Sequence, residues 1–301
     1  MKIYEYFKLS EKEYEFCNTD LEKDTKLYVD PIGIQYLYEN SSNVYLKQLS
    51  EKANKQIDAF FSEIARVHRE YPTKDKLMIF KELFKNFKEP QHLRLGLSSV
   101  GNSGKGTTSS ELVKIFNVQE VSDLFNTKSV NENLGLHSLS LLINYFGDDK
   151  LSDLTSNIIM NVIIEYNNVM FEKYKFFQDY INDTSIEYNY FCSLSKSWKT
   201  VKHFPLMINS KPLLLVPQKF VFRRQAGSLS RIISNYVEEP IINQTIYLPD
   251  GKEIKKTKKQ YIEENVNGNR KEFAMKLVLT ATDKYHKQFK SKIFSYIRER
   301  I

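Results

Sequence analysis

The sequence predicts an α+β fold, predominantly helical, with a small mixed or antiparallel sheet. Three observations predict it. Apolar residues recur at helical spacing over long stretches, above all from Tyr45 to Glu70 and from Gly147 to Phe177. Strand-like runs are few, short and bounded by Pro or Gly. The 301 residues are 41% hydrophobic and 13% aromatic, enough for a large core, and no repeat, low-complexity tract or linker divides them. Residues 1–301 therefore read as one α+β domain.

Taken in order, KLYVDP gives a short strand ended by Pro31. Leu49, Ala53, Phe60, Phe61, Ile64 and Val67 then mark one face of an amphipathic helix, with charges opposite and Pro72 at its end. KDKLMIFKELFKNF reads as a second helix before Pro90, and HLRLGL as a strand entering a glycine loop. In TTSSELVKIF a helix is expected with Ser109 or Ser110 as N-cap, because a hydroxyl there accepts from an early helical N–H. After the apolar run LGLHSLSLLINYF, a long helix is expected from Gly147, with Asp148 and Asp149 at its positive end. KPLLLVPQKFVF is β-like, with Pro217 forcing an edge position or a kink. SLSRIISNYVEE predicts a helix, YLPDGKEIKK a hairpin around Asp250-Gly251, and residues 271–300 a basic terminal helix.

Two cysteines, Cys17 and Cys192, are too few for a disulfide framework and have no partner at metal-ligand spacing. The first residues lack the apolar core of a signal peptide, and the greasiest stretches are too short and polar for a bilayer. A cytoplasmic protein that does not enter a membrane is the expectation.

The net charge of +7 is unevenly spread. Residues 1–187 carry 22 Lys and Arg against 28 Asp and Glu, whereas residues 188–301 carry 22 against 9. No acid lies between Glu187 and Glu238. Such an asymmetry suggests a polyanion partner for the basic part, or attraction between the two parts within the molecule or a homo-oligomer. Lys219, Arg223 and Arg224 around the VFRR segment are candidate phosphate contacts, as are Lys255, Lys256, Lys258 and Lys259. Phe220, Phe222, Tyr236 and Tyr261 are interleaved with them and suit either base stacking or an ordinary core.

The loop LSSVGNSGKG could cradle a phosphate through Gly101, Gly104, Lys105 and Gly106, since backbone N–H groups approach an anion closely where side chains are absent. It matches neither nucleotide-binding pattern. Ser99 stands where the Walker motif needs its first glycine, Gly106 where it needs a hydroxyl, and the glycine spacing is not GxGxxG. A backbone-phosphate site, a non-standard nucleotide site and a plain surface loop all stay open.

Asp149, Asp153 and Asn157 are spaced by four and share one helix face. With Asp30 or Glu165 they are candidate catalytic groups. Asp149 and Asp153 could hold Mg2+, whose preferred ligands are oxygens and which commonly serves phosphodiester hydrolysis. The competing reading is that Asp149 caps the helix, Asp153 satisfies first-turn N–H groups and Asn157 bonds a neighbouring loop. Glu253-Ile254-Lys255 is the one Glu-x-Lys spacing near a strand, and a solvated turn explains it equally well. The five histidines are scattered and form no HxxxH or HExxH pattern.

LYVDP, the helix ending near FFSEI, LGLSSVGNSGKG, DKLSDLTSNII, LLLVPQKFV and DGKEIKKTKKQYIEE together resemble, in that order, a family of single-domain bacterial proteins of unassigned activity. That family is associated with mobile elements and phage-defence loci. The resemblance spans about residues 27 to 262. Asp149, Asp153 and Asn157 match its acidic segment, while its tyrosine-threonine pair is Tyr166-Asn167 here. The resemblance implies a setting, defence against invading nucleic acid. Two function classes are expected: a nuclease dependent on Mg2+, or a non-catalytic subunit that senses nucleic acid or another phage component beside partner defence proteins. A nucleotide-binding regulator is a third.

Overall fold

The computed structural model describes residues 1–10, 14–96, 107–127, 135 and 141–301. Among these the fold is predominantly helical, and its strands form four two-stranded antiparallel ladders. The α+β reading holds, and the sheet content is antiparallel.

After a single turn at Ile3–Tyr6 (α1), β1 (Tyr28–Val29) pairs with β6 (Val221–Phe222), setting Tyr28 opposite Phe222. Helix α2 (Pro31–Asn40) begins immediately, since Pro31 suits a first helical position. Gly33 is required there, because a Cβ would lie 2.5 Å from the Phe222 ring. Helix α3 (Val44–Glu70) is the longest element, about 40 Å by its rise per residue. Its apolar stripe is the one read from the sequence, and Phe60 and Phe61 are fully buried. Phe60 packs on Phe84 of α4 (Thr73–Phe84), Phe84 on Phe116 of α5 (Ser109–Phe116), and Phe116 on Phe146. Helix α6 (Gln119–Asn126) stacks Phe125 parallel to Phe61.

The long helix expected from Gly147 is two helices, α7 (Asp148–Ile158) and α8 (Met160–Lys173). The Asn157 side chain donates to the Asp153 carbonyl one turn back, a back-bond that bends helices, and Ile159 leaves helical geometry at φ −98°, ψ 19°. Asn167, fully buried on α8, donates to the carbonyls of Ile163 and Leu215 and accepts from the Leu215 N–H. Those bonds fasten LLLVP to α8.

A hairpin of two seven-residue strands, β2 (Ile186–Cys192) with β3 (Ser197–His203), was not legible in the sequence. It lays Phe191 and Trp198 against Phe60. β4 (Leu206–Ile208) and β5 (Lys211–Leu213) form a shorter one, so KPLLLVPQKFVF is β5, a 3-10 turn and β6 rather than one strand. HLRLGL is a 3-10 turn over Gln91–Leu93 followed by an isolated parallel bridge between Leu95 and Thr25. Thr108, not Ser109 or Ser110, caps α5, accepting from the Glu111 N–H.

The remaining helices are α9 (Leu229–Tyr236), α10 (Glu238–Asn243), α11 (Lys258–Asn265), α12 (Arg270–Thr280) and α13 (Asp283–Arg298). The expected terminal helix breaks at Ala281, where the backbone is extended and the Glu239 carboxylate takes the Thr282 N–H. The hairpin around Asp250-Gly251 is present as β7 (Ile246–Tyr247) and β8 (Glu253–Ile254), with Gly251 at φ +80°.

Candidate functional site

The first turn of α7 is where the chemically interesting groups meet. Asp153 is buried, at 6% exposure. Burial, first, and then the charges of Asp149, Glu89 and Asp24 hold its carboxyl well above the ordinary range. Asp24 is pushed up in turn by burial and by Glu89 and Asp149, with Arg94 opposing. Four carboxylates and one guanidinium therefore share a small space.

Local chemistry explains how each arrives. Asn157 donates to the Lys88 carbonyl (2.7 Å) and accepts from the Lys88 N–H (3.2 Å), which fixes the segment carrying Glu89 against α7. Thr25 donates its N–H to the Arg94 carbonyl, and Gly96 donates to the Thr25 carbonyl, which sets Asp24 beside Arg94. Gly96 has φ +133°, and a Cβ there would lie 3.0 Å from Asp149 Oδ1 and 3.8 Å from Asp24 Oδ2. Only glycine suits both that backbone and that approach.

Asp30 lies close by but is otherwise occupied. It is fully buried; Oδ1 accepts from the N–H groups of Ile32 and Gly33 as the α2 N-cap, and Oδ2 accepts from the Ala226 N–H at 2.5 Å. It pins the segment after Arg224 to the start of α2. Glu165 is also elsewhere, in an ion pair with Lys52 at 2.6 Å. The sequence placed Asp149, Asp153 and Asn157 together; it missed Asp24, Glu89 and Arg94. No periodic signal marks those three, because each stands in an irregular segment.

On the other side of the α7 start, Asp148 is raised by burial, opposed by the Gln225 hydrogen bond and by the charges of Lys271, Arg224 and Arg231. Lys271 donates to the carbonyls of Ile143 and Phe146, both at 2.7 Å, and burial lowers its pKa to about 8. Arg223 and Arg224 are exposed, as is Lys219, and none of the three makes an ion pair with a described residue.

The lysine-rich hairpin differs. Lys255 pairs with Glu253, Lys256 with Glu264, Lys258 with Glu238 and Lys259 with Glu263. Each of the four lysines lies within ion-pair distance of a carboxylate, Glu238 of α10 in the case of Lys258, and Glu253 with Lys255 forms an exposed ion pair. Of the four interleaved aromatics, Phe220, Phe222, Tyr236 and Tyr261 are all buried. The glycine-loop residues Gly101, Gly104, Lys105 and Gly106 lie outside the described residues. Gly96, against Asp149, is the last described residue before them.

No group of three His, Cys, Asp or Glu among the described residues is placed to hold a metal ion. What the cluster offers chemically is a buried carboxyl able to hold or release a proton, beside an arginine able to grip an oxyanion.

A protein-family model, Domain of unknown function (DUF8370), matches residues 7–228. The chain belongs to this family. Asp24, Glu89, Arg94, Asp149, Asp153, Arg223 and Arg224 all fall within the matched residues, whereas α9–α13 follow them. No curated protein and no solved structure matches the chain significantly. No helix among the described residues is long and apolar enough to cross a membrane.

Proposed function

We propose that this protein acts on nucleic acid in bacterial anti-phage defence, gripping phosphates with Arg223, Arg224, Lys219 and Arg94 and presenting the Asp149–Asp153 carboxylates to the backbone. The observation that carries the reading is where the positive charge goes. Among the described residues only three ion pairs join the basic part of the chain to the acidic part, Lys196–Glu63, Lys202–Glu187 and Lys290–Glu39. Among the described residues, little of the cationic excess is paired across the two parts. It reaches the carboxylates through Arg224, whose charge acts on Asp148, the neighbour of Asp149. The defence setting rests on the sequence resemblance alone.

In this reading Asp153 is the proton-transfer group, because its raised pKa brings proton exchange closer to neutrality. Asn157 is a positioning residue, holding Glu89 beside it. No step is assigned to Mg2+. The test is incubation of labelled DNA and RNA with the purified protein, with EDTA and with Mg2+ or Mn2+. Cleavage that Asp153→Asn abolishes supports the reading; intact strands under every condition, with wild-type binding retained, favour the alternative.

That alternative is a non-catalytic nucleic-acid-binding subunit working with a separate effector. The burial of Asp153, at 6% exposure, favours it. It predicts retention of nucleic acid at low salt without cleavage, weakening steeply as salt rises.

A further inference from the structure

Helix α13 presents an exposed face that α2 only partly covers. Between the two runs an open groove of about 580 Å³, within the usual range of ligand sites. Its floor is aromatic: Tyr36 of α2 and Phe294 of α13 meet edge to face at 5.3 Å. One wall carries Lys287, Lys290 and Arg298, and the hydroxyls of Ser291 and Ser295 lie between them. The only acid in the lining, Glu39, is taken by Lys290 at 2.9 Å. Lys287 and Arg298 are exposed and make no ion pair with a described residue.

We infer that this groove holds the backbone of a single-stranded nucleic acid. The inference rests on the nucleic-acid reading above and adds a second, separate contact surface to it. Three features select this ligand. The lining carries a positive excess, which calls for a polyanion. Lys287 and Arg298 are eleven residues apart on one helix, about 16 Å along its axis, farther than one phosphate group bridges. The ligand is therefore a chain of anionic groups. Tyr36 is buried, so the groove offers a base the half-buried Phe294 ring, which the Lys290 ammonium already approaches at 5.1 Å; a stacked base there would lie beside that cation. An acidic peptide would satisfy the cations and leave that ring unused.

The test is anisotropy of fluorescein-labelled single-stranded DNA and RNA with the full chain, between about 50 and 200 mM salt. Replacing both cations (K287A with R298A) is expected to weaken binding at least tenfold at low salt. The slope of log affinity against log salt should fall by about 1.4, two phosphate contacts at about 0.7 each. Lys287→Arg should retain affinity, and Lys287→Glu should lose more than the neutral change. Both side chains are exposed, so the melting temperature should not move.

Wild-type binding with an unchanged slope in the double variant would overturn the groove and leave the nucleic-acid reading standing. Absence of wild-type binding to either strand would overturn both. Polyglutamate competing as well as an oligonucleotide would reassign the groove to an acidic protein, which also overturns the inference.

Discussion

Asp153 is a carboxylic acid held where its charged form is disfavoured, by burial and then by the charges of Asp149, Glu89 and Asp24. A carboxyl whose pKa is raised in the folded state binds its proton more tightly there than in the unfolded chain. Its contribution to stability is present in full below the unfolded value, about 3.9, and is lost as pH rises through the folded value. Asp153→Asn, which resembles the protonated acid, should therefore unfold at higher urea than wild type at pH 8, by more than the ~0.5 kcal/mol typical of surface changes. At pH 4 the gap should close. A gap of opposite sign would mean that Asp153 is stabilised as a carboxylate. Asp30 gives a contrasting case. Asp30→Ala removes a helix cap and leaves the buried Ala226 N–H unpaired, at a cost of about 2–4 kcal/mol. Asp30→Asn can still cap and should lose less. Gly96→Ala should destabilise the fold and shift any Asp153-dependent pH profile, because its methyl would press on Asp149. Urea titration and a pH–rate series check the two effects separately.

At the scale of elements, legibility followed periodicity. The α3 stripe, the α7 start and the Asp250-Gly251 turn were readable because their signals are local: spacing, charge at a helix end, a glycine that takes positive φ. The split at Ile159 was not, because the back-bond of Asn157 depends on the same side chain also holding Lys88. Hairpin β2–β3 was missed for a related reason. Its burial does not alternate, with Tyr188 and Phe191 buried and Tyr190 only partly so, since α3, α7 and α8 cover it unevenly. The candidate site divides along the same line. Asp149, Asp153 and Asn157 are one helix face, whereas Asp24, Glu89 and Arg94 converge only through tertiary bonds. Asn167 tests this scale directly. Where the resemblance expects threonine, the asparagine fastens Leu215 by two hydrogen bonds. Asn167→Ala should cost about 2–4 kcal/mol by leaving both Leu215 groups buried and unpaired, and hydrogen exchange should quicken at Leu215.

Across the whole molecule, charge was legible in amount but not in placement. The sequence put the lysines of KEIKKTKK among the phosphate contacts, yet the fold pairs Lys255, Lys256, Lys258 and Lys259 with carboxylates, while Arg223, Arg224, Lys287 and Arg298 have no such partner among the described residues. Substituting Lys255 and Lys259 together should consequently weaken polyanion binding less than substituting Arg223 and Arg224, as anisotropy at fixed salt would register. The contact joining Val29 and Asp30 to Gln225 and Ala226 spans 196 residues. During synthesis at about 5–20 residues per second, the first strand and the cap of α2 wait roughly 10–40 s for their partners to be made. For that interval Asp30 can cap α2 through the amides of Ile32 and Gly33 but has yet to receive the Ala226 amide, and β1 waits for β6, so this corner of the molecule closes only after most of the chain is made.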